Sequence, residues 1–122
     1  MSILCIYHGN CLDGFGAAWV IRKALKNVEF YPGVYQQEPP DVTGKQLIFV
    51  DFSYKRDVML ELAKKAYSIL LIDHHASAER ELVDMPDNVE VHFDMEHSGT
   101  ILAWNFFFSA DPPDLLRHIE DR

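Results

Sequence analysis

Residues 67–75 read YSILLIDHH. Ile69, Leu70, Leu71 and Ile72 follow one another with no polar break, and the run then stops on Asp73, His74 and His75. Side chains of a strand point alternately to its two faces, so an unbroken apolar run of strand length needs cover on both. LIFV at 47–50 has the same character. Two such strands imply the centre of a parallel sheet with helices on either side.

Working outward, three further stretches read as strands: ILCIYH (3–8), VEFYPGVY (28–35) and VEVHFD (89–94). The two central runs extend the same way, to LIFVDF (47–52) and YSILLID (67–73). Helical periodicity separates them. Ala17, Val20, Ile21 and Ala24 follow an i, i+3, i+4, i+7 pattern within 13–26, and Met59, Leu62, Ala63 and Ala66 repeat it within 54–66. A weaker helix is expected over 76–84, another over 98–109 with Ser98 and Gly99 at its start, and a last one from Asp114 onward. Alternating strands and helices predict crossover connections. Pro32 in the second strand and the polar alternation of the fifth place both at edges. The expected fold is therefore α/β, a doubly wound, mainly parallel five-stranded sheet of order 2-1-3-4-5 with helices on both faces. Such sheets bind ligands beyond the carboxyl ends of the strands at the switch point, here between strands 1 and 3.

Composition sets outer limits. The chain has 122 residues, 48% hydrophobic and 25% charged, enough for a single core. No apolar run approaches about 18 residues, so no membrane partner is expected. MSILCIYHGN lacks the marks of an export signal, and Cys5 and Cys11 do not form a disulfide framework, so a cytoplasmic setting is the expectation. Eleven Lys and Arg against 19 Asp and Glu give a net charge of −8, which argues against broad contact with duplex nucleic acid. A small phosphate substrate stays open, because bound metal ions can invert the local charge.

The strand ends carry the chemistry. His8 closes strand 1, Asp51 strand 3, Asp73 with His74 and His75 strand 4, and Asp94 strand 5. Asp13 follows at the start of the first helix. Parallel strands bring these ends to one edge of the sheet. Taken alone, Asp94 reads as a cap of the following helix and Asp13 as an N-cap or first-turn acid. Taken together, imidazoles and carboxylates without a cysteine cluster suit a catalytic manganese-, iron- or zinc-type ion. A carboxylate can bridge two ions, and two ions about 3.5–4 Å apart would clamp the attacking and leaving oxygens of a displacement at phosphorus.

HGNCLDG (8–14), VDFS (50–53), DHH (73–75) and LLRHIED (115–121), in that order, resemble the four motifs of the DHH phosphoesterase family, and HSGTILAW (97–104) resembles the stretch before its fourth motif. That family includes pyrophosphatases, exopolyphosphatases, single-strand-specific exonucleases, nanoRNases and cyclic-dinucleotide phosphodiesterases. The resemblance implies that His8 binds one metal and Asp13 the other, that Asp51 bridges them, that His74 binds the second metal directly, and that Asp121 completes the shell of that metal. It implies that His75 faces the substrate phosphate and that Asp73 orients the pair. It also implies two manganese ions, with magnesium or another divalent ion as the alternative.

Two features depart from that family. Its first motif supplies two aspartates after the histidine, whereas Asn10, Cys11 and Leu12 here precede Asp13 alone, leaving one metal short of a ligand or completed by Cys11 or water. The family also carries a smaller second domain after the fourth motif, while this chain stops at Arg122, so residues 1–122 are expected to be the metal-binding domain without it. Trp104, Phe106, Phe107 and Phe108 point around the 98–110 helix. That helix is either buried between sheet and neighbour or the docking face for a missing domain or a second copy. The expected function is a metal-dependent phosphohydrolase using metal-activated water, with short single-stranded nucleic acid or another small phosphorylated molecule as substrate. The alternatives are a pyrophosphatase or exopolyphosphatase-type activity, a phosphate- or nucleotide-binding module without turnover, or an assembly subunit.

Overall fold

The computed structural model describes residues 2–108 and 112–113. Five strands, β1 (Ile3–His8), β2 (Val28–Gly33), β3 (Gln46–Val50), β4 (Ser68–Asp73) and β5 (Val89–Phe93), form one sheet of order β2-β1-β3-β4-β5. Every pairing is parallel. Four helices join the strands or follow them: α1 (Leu12–Ala24), α2 (Arg56–Lys65), α3 (Ala76–Glu81) and α4 (Gly99–Phe107). The expected fold class and strand order are what the chain adopts. The helix expected over 98–109 ends at Phe107, with Phe108 extended at its C-cap, while Asp121 and the helix expected from Asp114 lie outside the described residues.

Period-two alternation divides the core into two layers. Leu4, Ile6, Leu47, Phe49, Ile69 and Leu71 face one way, against Met59, Leu62 and Ala63 of α2 and Leu82 after α3. Their neighbours Cys5, Ile48, Val50 and Ile72 face the other way, against Ala17, Val20 and Ile21 of α1 and Ile101, Ala103 and Trp104 of α4. The continuous apolar runs are thus the strands covered on both sides. Pro32 lies opposite Tyr7 on the edge strand β2, which pairs with β1 alone, so its missing N–H leaves no ladder bond unmade.

Three strands end earlier than their apolar runs suggest. β3 stops at Val50 because Asp51 takes a left-handed conformation (φ 59°), and its N–H donates to the Ile72 carbonyl at 3.0 Å. β2 stops at Gly33, whose carbonyl accepts the Gly9 N–H at 2.9 Å, and Val34 begins a turn closed by the Gln37 N–H. β5 stops at Phe93, where the Asp94 carboxylate accepts the Glu96 N–H at 2.9 Å. Asp94 therefore caps a turn and not the following helix α4, whose cap is Ser98.

The 98–110 helix was a candidate docking face. Trp104 is buried, Phe107 and Phe108 pack against the same core layer, and Phe106 is the exposed aromatic of α4, edge-on to His92. A more exposed apolar stripe lies on α1, where Leu12, Phe15 and Trp19 share one face at helical spacing.

Candidate metal centre

The registers His8↔Gly33, Tyr7↔Val50, Val50↔Ile72 and Asp73↔Phe93 bring the carboxyl ends of all five strands level. Asp51 stands at the middle of that edge with 1% of its surface exposed. A non-glycine residue with positive φ is uncommon, and such backbone strain persists where the surroundings hold it. Here it turns the carboxylate so that its two oxygens face different imidazoles. Oδ1 lies 2.6 Å from His74 Nε2, and Oδ2 lies 3.7 Å from His8 Nδ1 and 3.7 Å from Cys11 Sγ.

His74 Nε2 also lies 3.4 Å from Asp13 Oδ2. Asp13 reaches this position through α4, not through its own helix. Its carboxylate accepts the Gly99 N–H at 2.8 Å, the Thr100 N–H at 2.9 Å and the Thr100 hydroxyl at 2.7 Å. The two amides are donors that a helix leaves unpaired in its first turn. Ser98 caps α4 as expected, its Oγ accepting the Ile101 N–H at 3.2 Å.

Two glycines make this convergence sterically feasible. A Cβ on Gly14 would stand 2.2 Å from the His8 carbonyl oxygen, and one on Gly99 would stand 2.7 Å from Asp51 Cβ. Each helix N-terminus therefore touches the strand end it serves.

The electrostatics follow from these contacts. Burial pushes the Asp13 carboxyl upward, but hydrogen bonds from His74, Thr100 and the two amides outweigh it and hold the group well below the usual carboxylate range. Burial lifts the Asp51 carboxyl, opposed by the His74 hydrogen bond and reinforced by the Asp13 charge. His74 hydrogen-bonds to Asp13 and Asp51, which raise its pKa to about 10 against the effect of burial. In the metal-free chain an imidazolium proton thus separates two carboxylates. A divalent cation can take over that task.

Asp73 is also buried, and one of its oxygens accepts the His74 N–H at 2.8 Å and meets His75 Nδ1 at 2.7 Å. That contact raises the His75 pKa. It also fixes the ring, leaving Nε2 as its free nitrogen. His75 borders a cavity of about 210 Å³ lined by Tyr35, Ser53, Tyr54, Lys55 and Ser77 among others.

His8 is walled by aromatics, stacked on Phe52 at 5.9 Å and edge-on to Tyr35 at 5.6 Å. Its Nδ1 is buried with no hydrogen-bond partner. Buried polar atoms are normally satisfied, so an orphan aimed at a carboxylate is a reason to expect a cation between them. Among the described residues, ligand atoms of His8, Cys11 and Asp51 lie within 4.8 Å of one another, and so do those of Asp51, Asp73, His74 and His75. Asp51 belongs to both groups. The donor set fits divalent metal.

No protein-family model matches the chain. It is 31% identical over 135 aligned residues to "Uncharacterized protein R106" of Acanthamoeba polyphaga mimivirus, an alignment covering 96% of this chain and 32% of that protein. The crystal structure of an uncharacterized protein from Helicobacter pylori G27 superposes with a TM-score of 0.70 at 17% identity, over 98% of this chain and 40% of that one. The likeness to the second is one of fold. The chain spans about a third of the length of the viral relative.

Six residues singled out in the sequence, His8, Asp13, Asp51, Asp73, His74 and His75, meet at this edge, while Asp121 lies outside the described residues. Sequence reasoning missed the Asp13–Thr100 contact and the aromatic wall of Tyr35 and Phe52. The only sequence signal for the first is the small residue at Gly99, directly before Thr100. No helix of the described residues is long and apolar enough to cross a membrane.

Proposed function

We propose that this chain is the metal-binding domain of a DHH-type phosphohydrolase, working on short nucleotide phosphoesters. The observation that carries this reading is the buried carboxylate of Asp51, which offers one oxygen to His74 and the other to His8. A lone carboxylate buried to 1% exposure is costly unless cations face it, and two facing nitrogens make a bridging role the economical explanation.

In this reading His8, Asp51 and Cys11 or water hold one ion, and Asp51, His74 and Asp13 hold the other, with Asp121 added to the second. Bound ions would supply an activated water and neutralise the phosphate charge. Asp73 holds His75 by its Nδ1 and favours the protonated ring, and in that form Nε2–H is presented to a phosphate oxygen as a hydrogen-bond donor. Asp13, anchored to the first turn of α4, keeps its position when the imidazolium proton leaves His74. Manganese suits the oxygen-rich half, and magnesium would be disfavoured by the imidazoles.

The cavity beside His75 supports nucleotide-type substrates. Tyr35 offers an aromatic face, about half exposed, and Lys55 and Glu81 border the same cavity. A cytoplasmic setting belongs to the same proposal, as does a further domain or second copy that would close over the substrate.

The test joins metal counting to turnover. Calorimetric titration of the metal-free chain with Mn2+ is expected to show two sites, and the loaded chain to hydrolyse bis-p-nitrophenyl phosphate. Asp51→Asn removes the bridging charge and is expected to abolish paired binding and to lower turnover by about a thousandfold or more. Normal hydrolysis by that variant refutes the mechanism. Two ions without turnover would point to a binding module.

A further inference from the structure

Cys11 is the first residue before α1, in the N-cap position, yet its side chain makes no capping hydrogen bond. Ser, Thr, Asp and Asn dominate that position because their oxygens accept amide protons of the first turn. Here the thiol turns the other way, and Sγ lies 3.7 Å from Asp51 Oδ2. The same oxygen lies 3.7 Å from His8 Nδ1, which is buried and without a partner. Sulfur, nitrogen and oxygen donors thus converge, each from a different segment of chain.

The spacings can be compared with those of a coordinated ion. Zn–S bonds of about 2.3 Å and Zn–N and Zn–O bonds of about 2.0 Å at tetrahedral angles put sulfur about 3.5 Å from oxygen and nitrogen about 3.3 Å from oxygen. The observed 3.7 Å separations need a movement of only a few tenths of an ångström. The other half of the centre, Asp13, Asp51 and His74, contains oxygen and nitrogen donors alone.

We infer that the two halves of the centre prefer different ions, and that the half made by His8, Cys11 and Asp51 is a thiolate site for a zinc-like cation. Soft sulfur favours zinc or cobalt over manganese, whereas carboxylate and imidazole accept manganese. Cys5 cannot substitute. It is fully buried in the layer beneath α1, and burial pushes its thiol strongly upward.

This inference rests on the metal-centre reading and is separable from it. Metal-free protein is titrated with Co2+ and followed in the near ultraviolet, where thiolate-to-cobalt charge transfer absorbs. The band is expected to saturate at one equivalent, to vanish when Zn2+ is added, and to be absent in Cys11→Ser, in which Cys5 is still present. Zn2+ affinity at this half is expected to fall about tenfold or more in Cys11→Ser, with Mn2+ affinity little changed. Cys11→Asp, which restores an oxygen donor, is expected to bind Mn2+ more tightly than wild type at this half and to give no band. Two bound cobalt ions without the band, or a band that persists in Cys11→Ser, overturns the thiolate site and leaves the hydrolase reading standing. Failure to bind any ion overturns both.

Discussion

Gly99→Ala changes one hydrogen for a methyl group at the place where α4 meets Asp51. The added Cβ would stand 2.7 Å from Asp51 Cβ and 2.9 Å from both Cγ and Oδ1. Carbon atoms pack best at about 3.5–4.0 Å, so something must retreat by close to 1 Å. Asp51 is poorly able to do so, being buried, left-handed and bonded through its N–H to Ile72. If α4 retreats instead, the 2.8 and 2.9 Å bonds from Gly99 and Thr100 to Asp13 stretch beyond useful length. Overpacking of this kind costs about 1–3 kcal/mol, and weakening a hydrogen bond to a carboxylate adds about 1.5 kcal/mol or more. A loss of about 3 kcal/mol is therefore expected, a fall in Tm of about 10 °C for a domain of this size. Because the same movement displaces two metal-facing carboxylates, Mn2+ affinity should fall by about tenfold to a hundredfold. Thermal unfolding of the metal-free chain and calorimetric titration measure the two effects. Gly44→Ala is the control: its φ of 72° makes any side chain strained, but nothing lies within 4 Å of the added Cβ. It should cost about 1–2 kcal/mol and leave metal affinity unchanged. A Gly99→Ala chain as stable as wild type, binding Mn2+ equally well, would refute the account of how α4 supports the centre.

Asp13→Ala should destabilise the metal-free chain by about 2–4 kcal/mol in urea unfolding, since it strands two amides of α4 while the Thr100 hydroxyl keeps the Asp13 carbonyl as acceptor, and Asp13→Asn should cost less because an amide oxygen still accepts. Metal-free stability should depend on pH through His74, whose folded pKa of about 10 lies above its unfolded value. That stabilisation is complete below about pH 6.5 and is lost as pH rises toward 10, so Tm should decline across this window, and less so in His74→Gln. Metal affinity should rise over the same window, because the ion must displace the proton. Tyr35→Ala should raise KM for a dinucleotide about tenfold while leaving bis-p-nitrophenyl phosphate turnover within about threefold, as loss of one base-stacking surface predicts.

Much of this architecture can be read from local pattern. The unbroken runs at 47–50 and 69–72 imply cover on both faces, and Pro32 marks an edge, because alternation and a missing N–H are consequences of the backbone itself. Parallel order then carries His8, Asp51 and the Asp73–His75 run to one edge with no knowledge of side-chain packing. Other features arise from contacts between segments far apart in the chain. Asp13 was expected to serve its own helix or a metal, and its carboxylate is anchored by residues 86 and 87 positions away. Gly14 and Gly99 look like ordinary helix-start residues until the backbone or carboxylate each one abuts is known. The burial of α4 likewise could not be separated from an exposed face by composition, because four aromatics on a helix satisfy either arrangement until the sheet and α1 are set against it. Periodicity reports which way a side chain points within its element. Which partner it meets there depends on distances across the fold, and those appear when the elements pack.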